Sequence, residues 1–251
     1  MSNNCLIVGR GRAGGSFGLA LARAGWSTTL VSGHGIASHD EATFRQRDLI
    51  LLAVPDDTVA SVADALPRTD AVVAHVSGSL PLGALGGHAR TGSVHPLMSL
   101  PDAEVGAARL LDACTFAIDG DPMMGDVVGD LGGTAVVVPD DRRALYHATA
   151  AIASNHVTAL CAQIERLAEQ VGMPVEAYWT LLRTTLDNIE SIGAAAALTG
   201  PAARGDWRTV EGHLDALPDA AERRLYLALC ERAASLAGRQ VPADLRLDEL
   251  S

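Results

Sequence analysis

The chain has 251 residues, 48% of them hydrophobic and 20% charged, enough for one large domain or two small ones with buried cores. Its formal net charge is −11 and it contains no lysine, which excludes a Schiff-base lysine, a lysine general acid and a P-loop lysine. The acidic excess argues against nucleic acid and anionic membranes as partners, because both attract clustered positive charge. We therefore expect a small-molecule partner, no nucleic acid and no membrane.

Neither the N-terminus nor the cysteines indicate export or a metal centre. The first four residues lead directly into an apolar segment, without the basic stretch and long apolar core of an export signal. Cys5, Cys114, Cys161 and Cys230 show no CxxC pairing and no histidine partners at metal-ligand spacing. We therefore predict a cytoplasmic protein with free thiols and no metal.

The first part of the chain alternates β-rich apolar segments with helical ones. Several apolar segments are uninterrupted, which is typical of strands covered on both faces. The alternation of strand and helix favours a parallel, doubly wound α/β sheet. The predicted strands are Cys5–Val8, Thr28–Ser32, Leu49–Val54, Ala71–Val76, Gly92–His95, Thr115–Ile118 and Thr134–Val138.

The remainder of the chain is almost wholly helical in pattern, which predicts an all-α domain after the α/β domain. Pro139 stops the last strand and Asp140 can cap the next helix, so we place the domains at residues 1–139 and 140–251. The first of these helices carries a heptad-like apolar seam, which is compatible with an internal core as well as with a dimer interface. The predicted helices are Arg142–Val171, Val175–Leu198, Asp206–Leu217 and Asp219–Ala237.

A glycine-rich turn follows the first strand and opens a helix. Its sequence, Gly9-Arg10-Gly11-Arg12-Ala13-Gly14, matches the G-x-G-x-x-G pattern of dinucleotide-binding folds. The glycines permit close approach of the backbone to a pyrophosphate, and the helix N-terminus offers unpaired N–H groups. The alternative is a glycine-rich turn with a structural role only. The predicted cofactor-binding residues of this turn are Gly9, Gly11, Arg12, Ala13 and Gly14.

The end of the second strand favours NADP over NAD. A fold that binds NAD usually has a carboxylate at this position, whereas this chain has the segment Val31–His34. The Ser32 hydroxyl with Arg12 nearby can accommodate a ribose 2′-phosphate, which a carboxylate would repel. We therefore add Ser32 to the predicted cofactor-binding residues.

Three further strand exits carry candidate site residues. Ser77 and His95 are expected to converge near the nicotinamide, because the carboxyl ends of parallel strands meet at one edge of a sheet. Histidine titrates near neutral pH and suits a general acid, whereas His75 lies earlier in its strand and is as compatible with packing. Asp56 or Asp57, after the third strand, is interpreted as a helix cap. The cofactor contacts predicted at the third exit are Ala53, Val54 and Pro55, with Gly78 assigned to the substrate.

These exits carry a family resemblance. A serine-bearing turn followed by His95-Pro96 resembles prephenate dehydrogenases, in which such a histidine contacts the oxygen that is oxidised. Over nearly its full length the chain more closely resembles the bacterial family in which a Rossmann-like domain precedes a helical domain of unknown function. That family is related to pyrroline-5-carboxylate reductases and to 6-phosphogluconate and ketopantoate-type dehydrogenases. The matching segments are Gly9–Gly14, Val54–Asp56, His75–Gly78, His95-Pro96, Ala153–His156 and Leu198–Asp206.

The resemblance implies a nicotinamide cofactor, a cleft between the two domains and a homodimer formed through the helical half. Ketopantoate-type and β-hydroxyacid dehydrogenases use a lysine on the first long helix of the second domain, which this chain lacks. Asn155 and His156 occupy the corresponding stretch. Asn155 can orient a carbonyl group but cannot deliver a proton, so the proton must come from His95, His156 or water.

The segment Leu198–Asp206 supplies two more candidates, Thr199 and Arg204. Arg204 can clamp a substrate carboxylate or brace the turn against Asp206, which is also the predicted N-cap of the next helix. We favour the clamp for Arg204, because an acidic protein needs local positive charge to hold an anion.

The sequence thus predicts an NADP-dependent reductase of a C=O group, on a 2-oxo acid such as ketopantoate, with NAD the less favoured cofactor. The alternatives are reduction of a C=N group, as in pyrroline-5-carboxylate reductase, and a non-catalytic protein that senses NADP(H). The predicted catalytic residues are His95, Asn155 and Ser77, and the predicted substrate-binding residues are Gly78, His156, Thr199 and Arg204.

Overall fold

The computed structural model describes residues 3–36 and 39–246. The chain forms two compact units, the first ending at Val157 and the second beginning at Thr158. All seven predicted strands are present in the first unit, with small differences at their ends, and they form one sheet. The strands are β1 (Asn4–Val8), β2 (Ser27–Val31), β3 (Leu49–Leu52), β4 (Val72–His75), β5 (Thr91–Pro96), β6 (Thr115–Gly120) and β7 (Thr134–Val137).

The sheet is mostly parallel, with the strand order β2-β1-β3-β4-β5-β6-β7. Strands β1 to β5 are parallel, as predicted, but β6 runs antiparallel to β5. The connection after β5 starts and ends at the same edge of the sheet, since Leu97 N–H donates to the Thr115 carbonyl oxygen at 2.8 Å. A parallel arrangement would require a crossover connection that runs back along the length of the strands to the opposite edge of the sheet.

Both faces of the sheet are buried at β1, β3 and β4, which accounts for the uninterrupted apolar segments there. The edge strand β7 is exposed. Leu6 and Ile50 pack into one apolar cluster with α2, and Ile7 and Leu51 pack into another with α1, α3 and α4. Because β1 and β3 are central strands, their carboxyl ends meet in the middle of one sheet edge. The helices of this part are α1 (Arg12–Arg23), α2 (Asp56–Ala65), α3 (Ala103–Leu110) and α4 (Met123–Asp130).

The predicted long helix Arg142–Val171 is a helical stretch in three parts, α5 (Asp140–Ala151), a π-helical turn (Ile152–His156) and α6 (Val157–Val171). Turns of this kind inside α-helices are frequent at functional sites. Pro139 separates β7 from α5, as predicted. However, α5 and the π-helical turn belong to the first unit, so the boundary lies at residues 157/158 and not at the predicted 139/140. The physical reason is a buried arginine on α5 that is hydrogen-bonded to the sheet, described below.

The second unit is helical, as predicted. The predicted helix Val175–Leu198 is interrupted at Gly193, where φ is 82°. Glu222 is buried and accepts hydrogen bonds from Arg166, at 2.6 Å, and from Gln163.

Within the described ranges, no helix has the length and apolar character needed to cross a bilayer. The remaining helices are α7 (Val175–Ile192), α8 (Ala194–Ala197), α9 (Pro201–Arg204), α10 (Trp207–Ala216) and α11 (Ala220–Leu236), with short 3-10 turns at Glu41–Thr43, Leu82–Leu85 and Ala243–Leu245.

Candidate functional site

A groove follows the carboxyl edge of the sheet in the first unit. It consists of three contiguous cavities of about 510, 550 and 390 Å³. The first lies between the glycine-rich turn and the exit of β2, the second crosses the exits of β3 and β4, and the third lies between the exit of β5 and the π-helical turn. Open α/β sheets bind ligands at this edge, and an extended groove suits a dinucleotide with a substrate at one end.

The glycine-rich turn has the shape that its pattern predicts. A Cβ atom at Gly9 would lie 2.2 Å from the Ala53 carbonyl oxygen, and one at Gly14 would lie 2.0 Å from the Gly9 carbonyl oxygen. A Cβ atom at Gly11 would meet no protein atom within 4 Å. The first and third glycines are therefore required by packing, whereas the second borders open space where a pyrophosphate can approach.

The N-terminus of α1 is free to bind an anion. Its N-cap residue, Gly11, supplies no side-chain hydrogen bond, and the first turn contains no acidic residue. The first N–H groups of the helix and its partial positive charge therefore remain available. These features fit the pyrophosphate of a dinucleotide.

Arg10 takes the place that the sequence analysis gave to Arg12. Arg10 lines the first cavity together with Ser32 and His34, and its guanidinium donates to the Leu30 carbonyl oxygen at 3.4 Å. Arg12 lines the second cavity instead. The predicted pairing of Ser32 with Arg12 is corrected to Ser32 with Arg10, because β1 and β2 are neighbours and Arg10 follows β1 directly.

The Ser77 hydroxyl is part of a hydrogen-bond network that shapes the turn after β4. It donates to Asp56 Oδ2 at 2.8 Å and accepts from the backbone N–H groups of Ser79 and Leu80, each at 3.2 Å. The Ser79 hydroxyl donates to the same Asp56 oxygen at 2.8 Å. Ser77 is buried and does not line the three cavities. Asp56 lies in the first turn of α2, where the N-cap is Pro55, and binds the two serines instead of capping the helix.

His95 lies at the end of β5, where the second and third cavities meet. Its Nδ1 atom is 2.7 Å from the Tyr146 hydroxyl, and the two rings are nearly perpendicular, at 87°. Burial, followed by the charges of His147 and Arg143, lowers the pKa of His95 to about 4, against a smaller opposing effect of Asp56. At neutral pH the imidazole is therefore neutral and carries a single N–H group.

Arg143 connects α5 to the sheet. The residue is 1% exposed, and its guanidinium donates to the Ser93 hydroxyl and the Ser77 carbonyl oxygen, both at 2.8 Å. Strands β4 and β5 are thereby joined to α5 at the edge that carries the groove. Burial lowers the pKa of Arg143, partly offset by the carboxylates of Asp140 and Asp119.

His75 is buried in the sheet and does not line the three cavities. Burial, followed by the charge of Arg143, lowers its pKa to about 4. Of the two readings of His75, the structure therefore supports the packing role.

The π-helical turn forms the far wall of the groove. Ser154 and Asn155 line the second and third cavities, as does His95, and His147 joins them in the third. His156 is exposed on the same turn and does not line these cavities.

Sequence reasoning missed Arg143, Tyr146 and His147. Tyr146 and His147 lie three and four residues after Arg143, and Ser154 lies seven residues after His147. This spacing was the available signal, because it places side chains on one helix face.

Thr199 and Arg204 are exposed in the second unit, where Thr199 precedes α9 and Arg204 is the last residue of α9. Asp206 caps α10, as predicted, since it accepts hydrogen bonds from the N–H of Thr209 at 3.3 Å and from its hydroxyl at 2.7 Å. These hydrogen bonds hold the pKa of Asp206 below its usual value, with a smaller contribution from Arg204. Across the described part of the chain, no group of three His, Cys, Asp or Glu side chains is placed to hold a metal ion.

The sheet with its glycine-rich turn and the helical unit that follows define a Rossmann-fold protein with an all-α C-terminal region. Residues 114–233 match the model of DUF2520, a domain of unknown function. This match confirms the predicted resemblance to proteins in which a Rossmann-like domain precedes a helical domain of unknown function. No curated protein sequence matches the chain at a significant level.

Solved structures share this fold at low sequence identity. A candidate NADP oxidoreductase from Bacteroides fragilis is 18% identical, with 93% of this chain and 98% of that one covered and a TM-score of 0.79. A protein from Thermotoga maritima is 24% identical, with 93% and 98% covered and a TM-score of 0.69. Pyrroline carboxylate reductase from Plasmodium falciparum, solved with NADP bound, is 13% identical, with 94% and 98% covered and a TM-score of 0.59.

Proposed function

We propose that this protein is an NADP-dependent reductase that transfers a hydride to a C=O carbon, with a small anionic 2-oxo acid such as ketopantoate as substrate. The observation that carries this proposal is the groove that joins the uncapped N-terminus of α1 to His95 and Asn155. The names of two similar structures, an NADP oxidoreductase and an NADP-bound pyrroline carboxylate reductase, support the proposal by analogy of fold.

The residues of the groove fit NADP. The N–H groups at the start of α1 would hold the pyrophosphate, with Gly11 leaving room for it. Ser32 and Arg10 would hold the 2′-phosphate, since the β2 exit has no carboxylate to repel it. Ala53 and Pro55 line the groove beside the glycine-rich turn. When bound, the reduced cofactor supplies the hydride.

The protein's own part in the reaction is to orient the substrate and to stabilise charge. His95 and Asn155 line the same cavities, and each can donate a hydrogen bond to a carbonyl oxygen. Because His95 is neutral at pH 7, it acts as a hydrogen-bond donor to the oxygen on which negative charge develops. The proton that completes the alcohol comes through water.

The first test is a calorimetric titration of nucleotide-free protein with NADPH, NADH and NADP⁺. Micromolar NADPH binding with much weaker NADH binding is expected, and the absence of binding by any of them would overturn the proposal. A panel of 2-oxo acids then identifies the substrate by NADPH oxidation. His95→Ala should abolish most turnover without weakening NADPH binding, whereas His213→Ala, in the second unit, should leave turnover unchanged.

Reduction of a C=N group is the second candidate. A protonated imine accepts a hydride without a further proton, so a neutral His95 and a chain without lysine suit this substrate as well. Cyclic imines in the same panel separate the two reactions. Tight NADPH binding without oxidation by any member of the panel would instead favour a protein that senses NADP(H).

We also propose that the protein is a homodimer, in which the second unit of one chain contacts another copy of the chain. Helix α7 has no buried residue, although it carries a stripe of apolar side chains, with Leu181 63% and Ile192 59% exposed. Contiguous exposed apolar surface of this kind marks an interaction site. Light scattering should give the mass of two chains for the wild type and the mass of one chain for Leu181→Glu. Thr180→Glu, on the polar face of α7, is the control and should keep the mass of two chains. A single-chain mass for the wild type would refute the dimer.

A further inference from the structure

Tyr146 contacts His95 in a geometry that occurs twice in this protein. In the first unit the Tyr146 hydroxyl lies 2.7 Å from His95 Nδ1, with the ring centroids 5.6 Å apart and the rings at 87°. In the second unit the Tyr226 hydroxyl lies 2.6 Å from His213 Nδ1, with the centroids 5.7 Å apart and the rings at 85°. His95 lines the groove of the proposed reductase, whereas His213 lies in the other unit.

Gly78 lies next to the His95 ring, on the side of Nε2. A Cβ atom at Gly78 would lie 2.9 Å from His95 Nε2 and 2.7 Å from His147 Cδ2. The imidazole is therefore bounded at Nδ1 by the Tyr146 hydroxyl and at Nε2 by a residue that has no side chain.

The surroundings of His95 decide which group donates the hydrogen bond. Burial, followed by the charges of His147 and Arg143 on α5, lowers the pKa of His95 and keeps its imidazole neutral. Asp56 on α2 opposes this shift, and His75 on β4 adds a smaller lowering. Burial also raises the pKa of Tyr146, so its hydroxyl keeps its proton. Among the residues that the structure describes, that hydroxyl has His95 Nδ1 as its hydrogen-bond partner. A phenolic O–H is a stronger acid than the N–H of a neutral imidazole, which favours the arrangement in which the Tyr146 hydroxyl donates to Nδ1 and the imidazole proton resides on Nε2.

We propose that Tyr146 is a positioning residue of the proposed reductase: its hydroxyl holds His95 as the Nε2–H tautomer, which donates a hydrogen bond to the substrate oxygen or nitrogen. The inference rests on the proposed function for its role in turnover, but the tautomer itself is a property of the protein alone. It also gives the chain a fixed hydrogen-bond donor that does not depend on a lysine.

The test is ¹⁵N NMR of the full chain labelled at histidine, at pH 7 and without cofactor. His95 signals are assigned by their loss in His95→Asn. The expected wild-type spectrum shows His95 protonated at Nε2 and unprotonated at Nδ1, and Tyr146→Phe should give a mixture of tautomers. With a substrate from the panel, Tyr146→Phe should lower kcat about tenfold, as expected for a lost hydrogen bond, and change KM about twofold at most.

Tyr226→Phe is the matched control, because it removes the equivalent hydroxyl from His213. It should alter the His213 signals and leave both the His95 signals and turnover unchanged. A wild-type His95 protonated at Nδ1, or an unchanged tautomer in Tyr146→Phe, would overturn the inference, and the wild-type spectrum decides even if the variant folds poorly. Failure to bind any dinucleotide would overturn the proposed function but not the tautomer, so the two failures are distinguishable.

Discussion

The guanidinium of Arg143 donates a hydrogen bond of 2.8 Å to the carbonyl oxygen of Ser77. This bond joins α5 to the exit of β4, and a second one, to the hydroxyl of Ser93, joins it to β5. The same charge contributes to the lowered pKa of both His75 and His95. One buried side chain therefore holds the wall of the groove on the sheet and favours neutral histidines beside it.

Arg143→Met should destabilise the protein by about 2–4 kcal/mol, because it leaves the Ser77 carbonyl and the Ser93 hydroxyl buried without their charged donor. Arg142→Met is the matched control, since Arg142 is exposed on the same helix, and should cost about 0.5 kcal/mol or less. Urea unfolding measures both changes. Equal losses in the two variants would show that Arg143 does not anchor α5.

The free energy of unfolding should fall as the pH drops from 6.5 to 4. Burial lowers the pKa of His75 from 6.5 to about 4, so in this window the unfolded chain binds more protons than the folded one, and acid favours unfolding. His75→Asn removes this titration and should flatten the slope by roughly 1–3 kcal/mol over the window. Urea unfolding of both proteins at several pH values gives the comparison, and parallel slopes would contradict the buried neutral state.

Gly11→Ala should weaken cofactor binding, whereas Gly14→Ala should lower the stability of the fold. Gly11→Ala should change stability by less than about 1 kcal/mol, because its Cβ meets no protein atom, but it should weaken NADPH binding by intruding on the pyrophosphate. Gly14→Ala should destabilise the fold, since its Cβ would overlap the Gly9 carbonyl oxygen. Thermal melting and calorimetry separate the two. Unchanged NADPH affinity in Gly11→Ala would place the pyrophosphate elsewhere.

Arg10→Ala should reduce the preference for NADPH over NADH, since Arg10 shares its cavity with Ser32. Loss of one arginine–phosphate contact should weaken NADPH binding by about tenfold or more, with little effect on NADH. Arg12→Ala is the matched comparison and should affect both cofactors alike, because Arg12 lines the second cavity and not the one that contains Ser32. If calorimetric titrations show that Arg12→Ala, and not Arg10→Ala, weakens NADPH binding selectively, then Arg12 binds the 2′-phosphate.

Most local elements of this protein can be predicted from its sequence. Strands β1, β3 and β4 are recognisable because both of their faces are buried, which makes their segments continuously apolar. The glycine-rich turn is recognisable because packing against Ala53 and the Gly9 carbonyl oxygen permits only glycine at two of its positions. His95 and Asn155 could be placed at the groove, since strand exits share one edge and the long helix was detected.

Only the tertiary structure decided which side chains meet. Arg10 rather than Arg12 lies beside Ser32 because β1 and β2 are neighbours in the sheet, which no local pattern contains. No sequence pattern singled out Arg143 or Tyr146, and they became site residues because α5 docks on the exits of β4 and β5. Local periodicity determines which segments are helix and strand, whereas contacts between residues distant in the chain depend on how those segments pack, and that packing decided the chemistry of the groove.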